Sequence, residues 1–295
     1  MLNLFNTTNF IKKRILLEQQ QIVAISLSEK IYLCKENKSV MTKISGVIIT
    51  FNEEKFIENC LKSIIDVVDE IVVVDSFSTD KTKEICLKYG VRFIENKFEG
   101  FTTQKNFAND QAEYDYILSL DADEALSDEL KKSILETKNN LEFDGYSFNR
   151  LNNYCGKWIN HSNWYPDCKI RLYNRKKSKW KGENNLHEVV VLENPKSHKF
   201  LKGDLLHWAY ESVNDHYLKV HGYTNIASQN AFRRNPNKKI GFTKLLLNPF
   251  WKFFKNYFVK KGFLDGYHGF VICCFASFGT FLKYVKIREL QQNAK

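Results

Sequence analysis

A chain of 295 residues with 43% hydrophobic content is long enough for one large domain, or one domain with an appendage. Its seven cysteines are odd in number and form no Cys-x-x-Cys pair, so the spacings offer no zinc site. Cys60 and Cys86 read as small buried hydrophobes in a reducing compartment. The net charge of +10 calls for an anionic partner, and its position narrows the choice: between Arg233 and Lys286 eleven Lys/Arg stand against Asp265 alone, which accounts for the whole excess.

Residues 1–40 are polar, lack clear periodicity and show no evident signal peptide. They are expected to lie outside the fold, with Met41, directly before the first strong strand, as the expected start of translation. From residue 44 the pattern is regular. ISGVIIT at 44–50 predicts a buried strand, and Phe56/Ile57, Cys60/Leu61 and Ile64/Ile65 recur every four residues, as on one helix face. IVVVD at 71–75 is a β-branched run suited to a strand covered on both sides. Ser78, Thr79 and Asp80 offer N-caps for a helix that Gly90 would end. Strands follow at 91–94 and 116–120, a helix at 104–112 between them, and a helix capped by Ser127 runs to about residue 138.

This alternation predicts an α/β fold with a Rossmann-like, mainly parallel sheet flanked by helices. Ligands of such sheets sit at the carboxyl ends of the strands, where Asn52, Asp75, Asp121 and Asp123 all fall. Beyond residue 143 the style becomes antiparallel, with strands at 145–154, 169–174 and 189–192 separated by aromatic-rich loops at 158–165 and 180–187. A helix capped by Ser212 is expected over 213–232.

Asp121-Ala-Asp123 places two carboxylates where both reach one hard divalent cation, directly or through water, and such a cation neutralises a diphosphate. Asp75, at the end of the second strand, is placed either as a helix-cap or turn residue or to accept hydrogen bonds from a nucleotide base or ribose. No Gly-x-Gly-x-x-Gly or Walker A sequence is present, which argues against a dinucleotide or P-loop enzyme.

Thr50-Phe51-Asn52-Glu53-Glu54, VVVDSFSTD at 72–80, Gln104-Lys105-Asn106 and LSLDADE at 118–124 together resemble a family 2 glycosyltransferase of GT-A fold, closely over about residues 43–140. KIRLYNR (169–175), Trp180, His187-Glu188, LKGDLLHWAY (201–210) and GFLDG (262–266) resemble its lipopolysaccharide-core branch, which includes β-1,4-glucosyltransferases. The resemblance implies an inverting, metal-dependent hexosyltransferase using Mg²⁺ or Mn²⁺ and a UDP-sugar donor. Phe51, Asn52, Glu53 and Asp75 would hold the nucleoside, with Lys105 as a point charge near the donor. Asp121 would contact ribose or metal, and Asp123 would be the main metal ligand. Many GT-A enzymes add a late histidine as a third ligand, which His207 would supply; the alternative is a buried, hydrogen-bonded histidine beside Trp208. Arg171 and Trp180 would contact diphosphate and acceptor sugar. Inversion needs a general base for the acceptor hydroxyl. Relatives use a carboxylate in an Asp-Glu or Glu-Asp pair; here the pair is His187-Glu188, so Glu188 is the candidate base and Asp167 the alternative. His161, His198, His216, His221 and His268 read as structural.

The tail combines LLLNPFWKFFKNYF (245–258) with an apolar run at 270–285, shorter than the roughly 20 residues that span a bilayer. Apolar faces mixed with Lys suit amphipathic helices lying in an anionic headgroup layer. No nucleic-acid motif appears. The expected organisation is an extension at 1–40, a GT-A catalytic domain at 41–210 and a helical, basic, membrane-associating region at 211–295. The expected acceptor is a lipid-linked core oligosaccharide, and the expected place is cytoplasmic, peripheral on the inner face of the cytoplasmic membrane. Two rivals are a sugar nucleotidyltransferase, which usually carries a Gly-rich basic loop where this chain has Phe-Asn-Glu-Glu, and a non-catalytic membrane-bound scaffold of the same fold.

Overall fold

The computed structural model describes residues 42–183, 186–237 and 240–294, so the expectations for residues 1–40 and a start at Met41 lie outside the described residues. Strands β1 (Ile44–Thr50), β2 (Glu70–Asp75), β3 (Arg92–Glu95) and β4 (Tyr116–Asp121) form a parallel half-sheet in the order β3-β2-β1-β4. Burial on both faces explains their composition. Ile44, Ile48 and Val73 pack in one core cluster, and Val47, Ile49, Val72 and Val74 in a second. The register sets Thr50 opposite Asp75 and Ile49 opposite Asp121, so three strands deliver polar residues to one edge.

Helices α1 (Ile57–Ile64), α2 (Thr82–Lys88), α3 (Phe101–Asp110) and α4 (Asp128–Lys138) alternate with these strands. Ile57, Cys60, Leu61 and Ile64 form the buried face of α1, while Ile65 is exposed. Ser127 caps α4 by accepting from Leu130 N at 3.3 Å. At α2 the expected caps do other work. Asp80 Oδ1 accepts from Thr82 N at 2.9 Å, but Ser78 and Thr79 are spent on the loop beside them.

The rest of the sheet is mixed. β5 (Glu124–Leu126), β6 (Gly145–Tyr154), β7 (Lys157–Ile159), β8 (Cys168–Asn174) and β11 (His198–Tyr210) extend it in the order β4-β8-β6-β11-β5, with β7 on β6. β8 runs antiparallel to β4 and β6, whereas β11 runs parallel to β6 and antiparallel to β5. β9 (Ser178–Glu183) and β10 (Leu186–Leu192) make a separate hairpin. Trp158 and Trp180, expected in loops, lie on β7 and β9. β11 crosses the start of α4 at Gly203 (φ +94°), where a Cβ would collide with the Leu130 backbone. The close crossing lets His207 stand opposite Glu124.

Three helices complete the chain. α5 (Val213–Arg234) opens with a capping box between Ser212 and Asp215. α6 (Phe242–Phe254) and α7 (Gly266–Asn293) are joined through a π-helical turn (Lys255–Val259) and a 3-10 turn (Gly262–Asp265). The apolar run at 270–285 is part of one 28-residue helix, and the segment Gly262–Asn293 is long and apolar enough to cross a membrane by length and composition. The helix leans on α5, however. Lys286 Nζ donates to His221 O (3.1 Å) and Thr224 Oγ1 (2.8 Å). Ile272 joins Tyr154 and Ile159 in a third core cluster.

Candidate active site

The site begins where the loops after β1 and β2 are sewn together. Asn52 (φ +53°) donates its backbone N–H to Ser78 Oγ at 2.7 Å, and its side-chain oxygen accepts from Thr79 N at 2.8 Å. Glu53 N donates to Thr82 Oγ1 (2.9 Å) and Glu54 N to Asp80 Oδ2 (3.0 Å). Asp75, almost fully buried, accepts from Ser78 N (2.7 Å) and Ser78 Oγ (2.5 Å). Its carboxylate therefore shapes the turn that carries Phe77. Phe51 and Phe77 are both more than half exposed on this rim, and Phe77 holds φ +63°, an uncommon conformation for an aromatic residue. Burial, followed by the charge of Asp123, pushes the Glu53 carboxyl up to about 7.

Beneath the rim lies a chain of alternating charges. Asp121 meets Lys105 Nζ at 2.9 Å and Arg171 Nη2 at 3.1 Å. Burial alone would raise its pKa, but the two cations outweigh that and hold the carboxyl far below the usual range. Arg171 Nη2 also reaches Glu124 Oε1 at 2.8 Å, and Glu124 Oε2 accepts from Asp121 N at 3.0 Å. Arg150 continues the chain from Glu124 (3.5 Å) to Asp167 (3.0 Å), which Lys169 reaches at 2.9 Å. Glu124, fully buried, is the hub of the network and locks the Asp121–Asp123 turn. Its role escapes sequence reading, because its partners lie 26 and 47 positions away.

Lys105 and Arg171 are 2% and 3% exposed, so both sit under Asp121 and not on an open diphosphate surface. Trp180 is buried with them: its indole N–H donates to Tyr173 Oη at 2.7 Å, and the Lys105 ammonium lies 4.5 Å from its ring centre. It has no face left for an acceptor sugar. Lys105 Nζ also lies 3.5 Å from Glu188 Oε1, linking the candidate base to Asp121. Asp167, by contrast, is held by Arg150 and Lys169. The side chain of His187 lies outside the described residues.

Asp123 and His207 face each other, Oδ2 to Nε2, at 3.3 Å. His207 Nδ1 is 2.6 Å from Asn152 Oδ1, and the Asn152 amide nitrogen points to Trp164 O at 3.5 Å. That orientation makes Nδ1–H the donor to Asn152 and turns Nε2 toward Asp123. Nε2 and Asp123 Oδ2 thus converge, and together they would offer one nitrogen and one oxygen donor to a divalent cation. Trp208 N donates to Asp123 O at 3.0 Å, which fixes the pair through the backbone. The donor chemistry suits Mg²⁺ or Mn²⁺. Among the described residues, no group of three or more His, Cys, Asp or Glu forms a complete protein-only cage. A cation held by Asp123 and His207 alone would keep positions for diphosphate and water oxygens.

The mainly parallel sheet, its flanking helices and the polar strand ends that the loops sew together define an α/β fold of GT-A type. Residues 45–192 match the family model described as glycosyl transferase family 2, and the chain belongs to that family. An uncharacterised glycosyltransferase of Rickettsia typhi is 30% identical over 264 residues, covering 86% of this chain and 90% of the relative. The lipopolysaccharide core biosynthesis glycosyltransferase LpsC of Rhizobium meliloti is 28% identical over 83% of this chain and 92% of its own length. S. aureus TarS in complex with UDP-GlcNAc aligns with a TM-score of 0.43 and 15% identity over 86% of this chain and 91% of that one.

Proposed function

We propose that this glycosyltransferase moves a hexose from a UDP-sugar, with inversion at the anomeric carbon, to a lipid-linked cell-envelope glycan such as lipopolysaccharide core. The observation that carries the reading is the Asp123–His207 pair, 3.3 Å apart, with the imidazole oriented by Asn152. The similarity to LpsC supports the acceptor class. Phe51, Asn52, Glu53 and Asp75 would form the nucleoside side. Asp123 and His207 would hold Mg²⁺ or Mn²⁺, with Asp121 beside them. The cation supplies charge neutralisation for the departing diphosphate.

The chain's own residues do the rest. Glu188 takes the proton of the acceptor hydroxyl, which attacks the anomeric carbon from the face opposite the leaving group. The bond from that carbon to the diphosphate oxygen breaks, and its electron pair leaves with UDP. We favour Glu188 over Asp167 because two cations already engage Asp167. Lys105 and Arg171 act through Asp121, keeping it ionised and oriented. Residues 41–210 would form the catalytic domain. Residues 211–295 would seat it on the inner face of the cytoplasmic membrane. Phe250, Trp251, Phe258 and Leu264 are each at least half exposed, and between Asp215 and Glu289 the single acidic residue, Asp265, is buried. The surface they form is thus apolar and cationic, as an anionic headgroup layer requires. A cavity of about 370 Å³ between α6 and α7, lined by Leu245, Phe253 and Phe281, adds apolar volume there.

Incubation with UDP-glucose, Mn²⁺ and envelope lipids, followed by NMR of the product, tests the chemistry. An α-linked donor should give a β-linked product; an α-linked product would refute inversion.

A further inference from the structure

The GFLDG motif, which the chemistry above leaves unused, joins two distant parts of the chain. Asp265 is 3% exposed, and its carboxylate gathers one loop. Oδ1 accepts from Asn160 N (3.3 Å) and lies 3.1 Å from His161 Nδ1, while Oδ2 accepts from His161 N (3.0 Å) and Ser162 Oγ (3.4 Å). The Asp265 carbonyl takes Lys157 Nζ at 2.7 Å, and Ser162 N donates to Lys260 O at 3.1 Å. The gathered loop is bent, with Ser162 and Asn163 at φ +61° and +65°. The approach is close as well. A Cβ on Gly269 would collide with Gly262 O, and one on Gly262 would come within 2.9 Å of Cys273 Sγ.

The two sides of this clamp face different surroundings. Around Asp265, Phe263, Leu264 and Tyr267 are 46%, 55% and 71% exposed, beside the exposed Lys260 and Lys261. On the far side, Trp158 sets its ring 5.5 Å from that of Trp208. Trp208 follows His207, and its N–H is bonded to Asp123.

We propose that Asp265 is a positioning residue that couples lipid contact to the Trp158–Trp208 wall beside the Asp123–His207 pair. It bolts the lipid-facing turn to β7 and the loop that follows it, so seating of the turn on an anionic lipid surface orders the wall formed by Trp158 and Trp208. A lipid-linked acceptor presents its hydroxyl at a set height above the bilayer, and a rigid joint holds the site at that height. This inference rests on the membrane reading given above.

Hydrogen–deuterium exchange of the full chain, with and without vesicles of phosphatidylethanolamine and phosphatidylglycerol, tests it on wild type, Asp265→Asn and His161→Ala. Vesicles should slow exchange across 242–264 in all three proteins. In wild type they should also slow exchange across 158–163. That second effect should shrink by about fivefold in His161→Ala, the worth of one hydrogen bond, and vanish in Asp265→Asn. A 158–163 segment indifferent to vesicles in wild type, or equally responsive in both variants, overturns the coupling. If Asp265→Asn does not fold, His161→Ala decides alone. Absence of protection at 242–264 overturns the membrane reading itself, and UDP binding in the same samples reports separately on the donor site.

Discussion

The strand-end site and the helical tail solve opposite problems. Around Asp121 and Glu124 the chain buries charge and compensates it, cation against carboxylate, with bonds of 2.8 to 3.1 Å. Along α6 and the turns after it, the chain exposes large apolar side chains and leaves Lys244, Lys255, Lys260 and Lys261 in solvent. The difference teaches what each surface is for. Buried, paired charge holds a few atoms in one geometry. Exposed apolar surface with one sign of charge needs an outside partner to cover it.

The largest effect should come from breaking the compensated charge. Glu124→Gln leaves Arg171 buried with one anionic partner fewer, and should cost about 3–5 kcal/mol in chemical unfolding. The same substitution should leave vesicle binding intact, since no tail residue touches Glu124 in its described bonds.

The seam between the two regions should respond to pH. His216, buried against Tyr154 and Phe275, has its pKa lowered to about 4, mainly by burial and secondarily by Lys219. Its folded form is thus neutral where the unfolded chain, near 6.5, takes up a proton. The resulting stability is complete above about pH 6.5 and is lost as pH falls toward about 4, a change on the order of 3 kcal/mol. His216→Gln should flatten that slope in denaturant titrations across the window.

Weaker effects should separate the regions further. Lys255→Gln with Lys260→Gln should weaken binding to anionic vesicles by about 1 kcal/mol per charge, with UDP binding unchanged. A matching loss of UDP binding would show that the two regions are not independent. Ser212→Ala removes the capping box at the start of α5 and should lower thermal stability by about 1 kcal/mol.

Much of this was legible in the sequence, because much of it is local. The β-branched runs at 44–50 and 71–75 define strands covered on both faces, and the Ser127 and Ser212 caps sit where the pattern puts them. Membership in glycosyl transferase family 2 was likewise readable from short motifs. What resisted reading is what the fold brings together from afar. Asn152 orients His207 from 55 positions away, and Asp265 grips the loop at 160–162 from more than a hundred. The resemblance implies an acceptor contact for Trp180, and no local pattern reveals that Lys105, Arg171 and Tyr173 enclose it. The length of α7 is hidden in the sequence for a related reason. Lys283 and Lys286 interrupt the apolar run, yet Lys286 is spent on α5, and the helix continues past it.

The most direct test of the central claim is calorimetric titration of UDP into wild type and Asp123→Ala, each with and without Mn²⁺. The account predicts UDP binding that strengthens with Mn²⁺ in wild type and loses that dependence in Asp123→Ala, whose unfolding midpoint stays near wild type. Equal Mn²⁺-dependent binding in both proteins would contradict it.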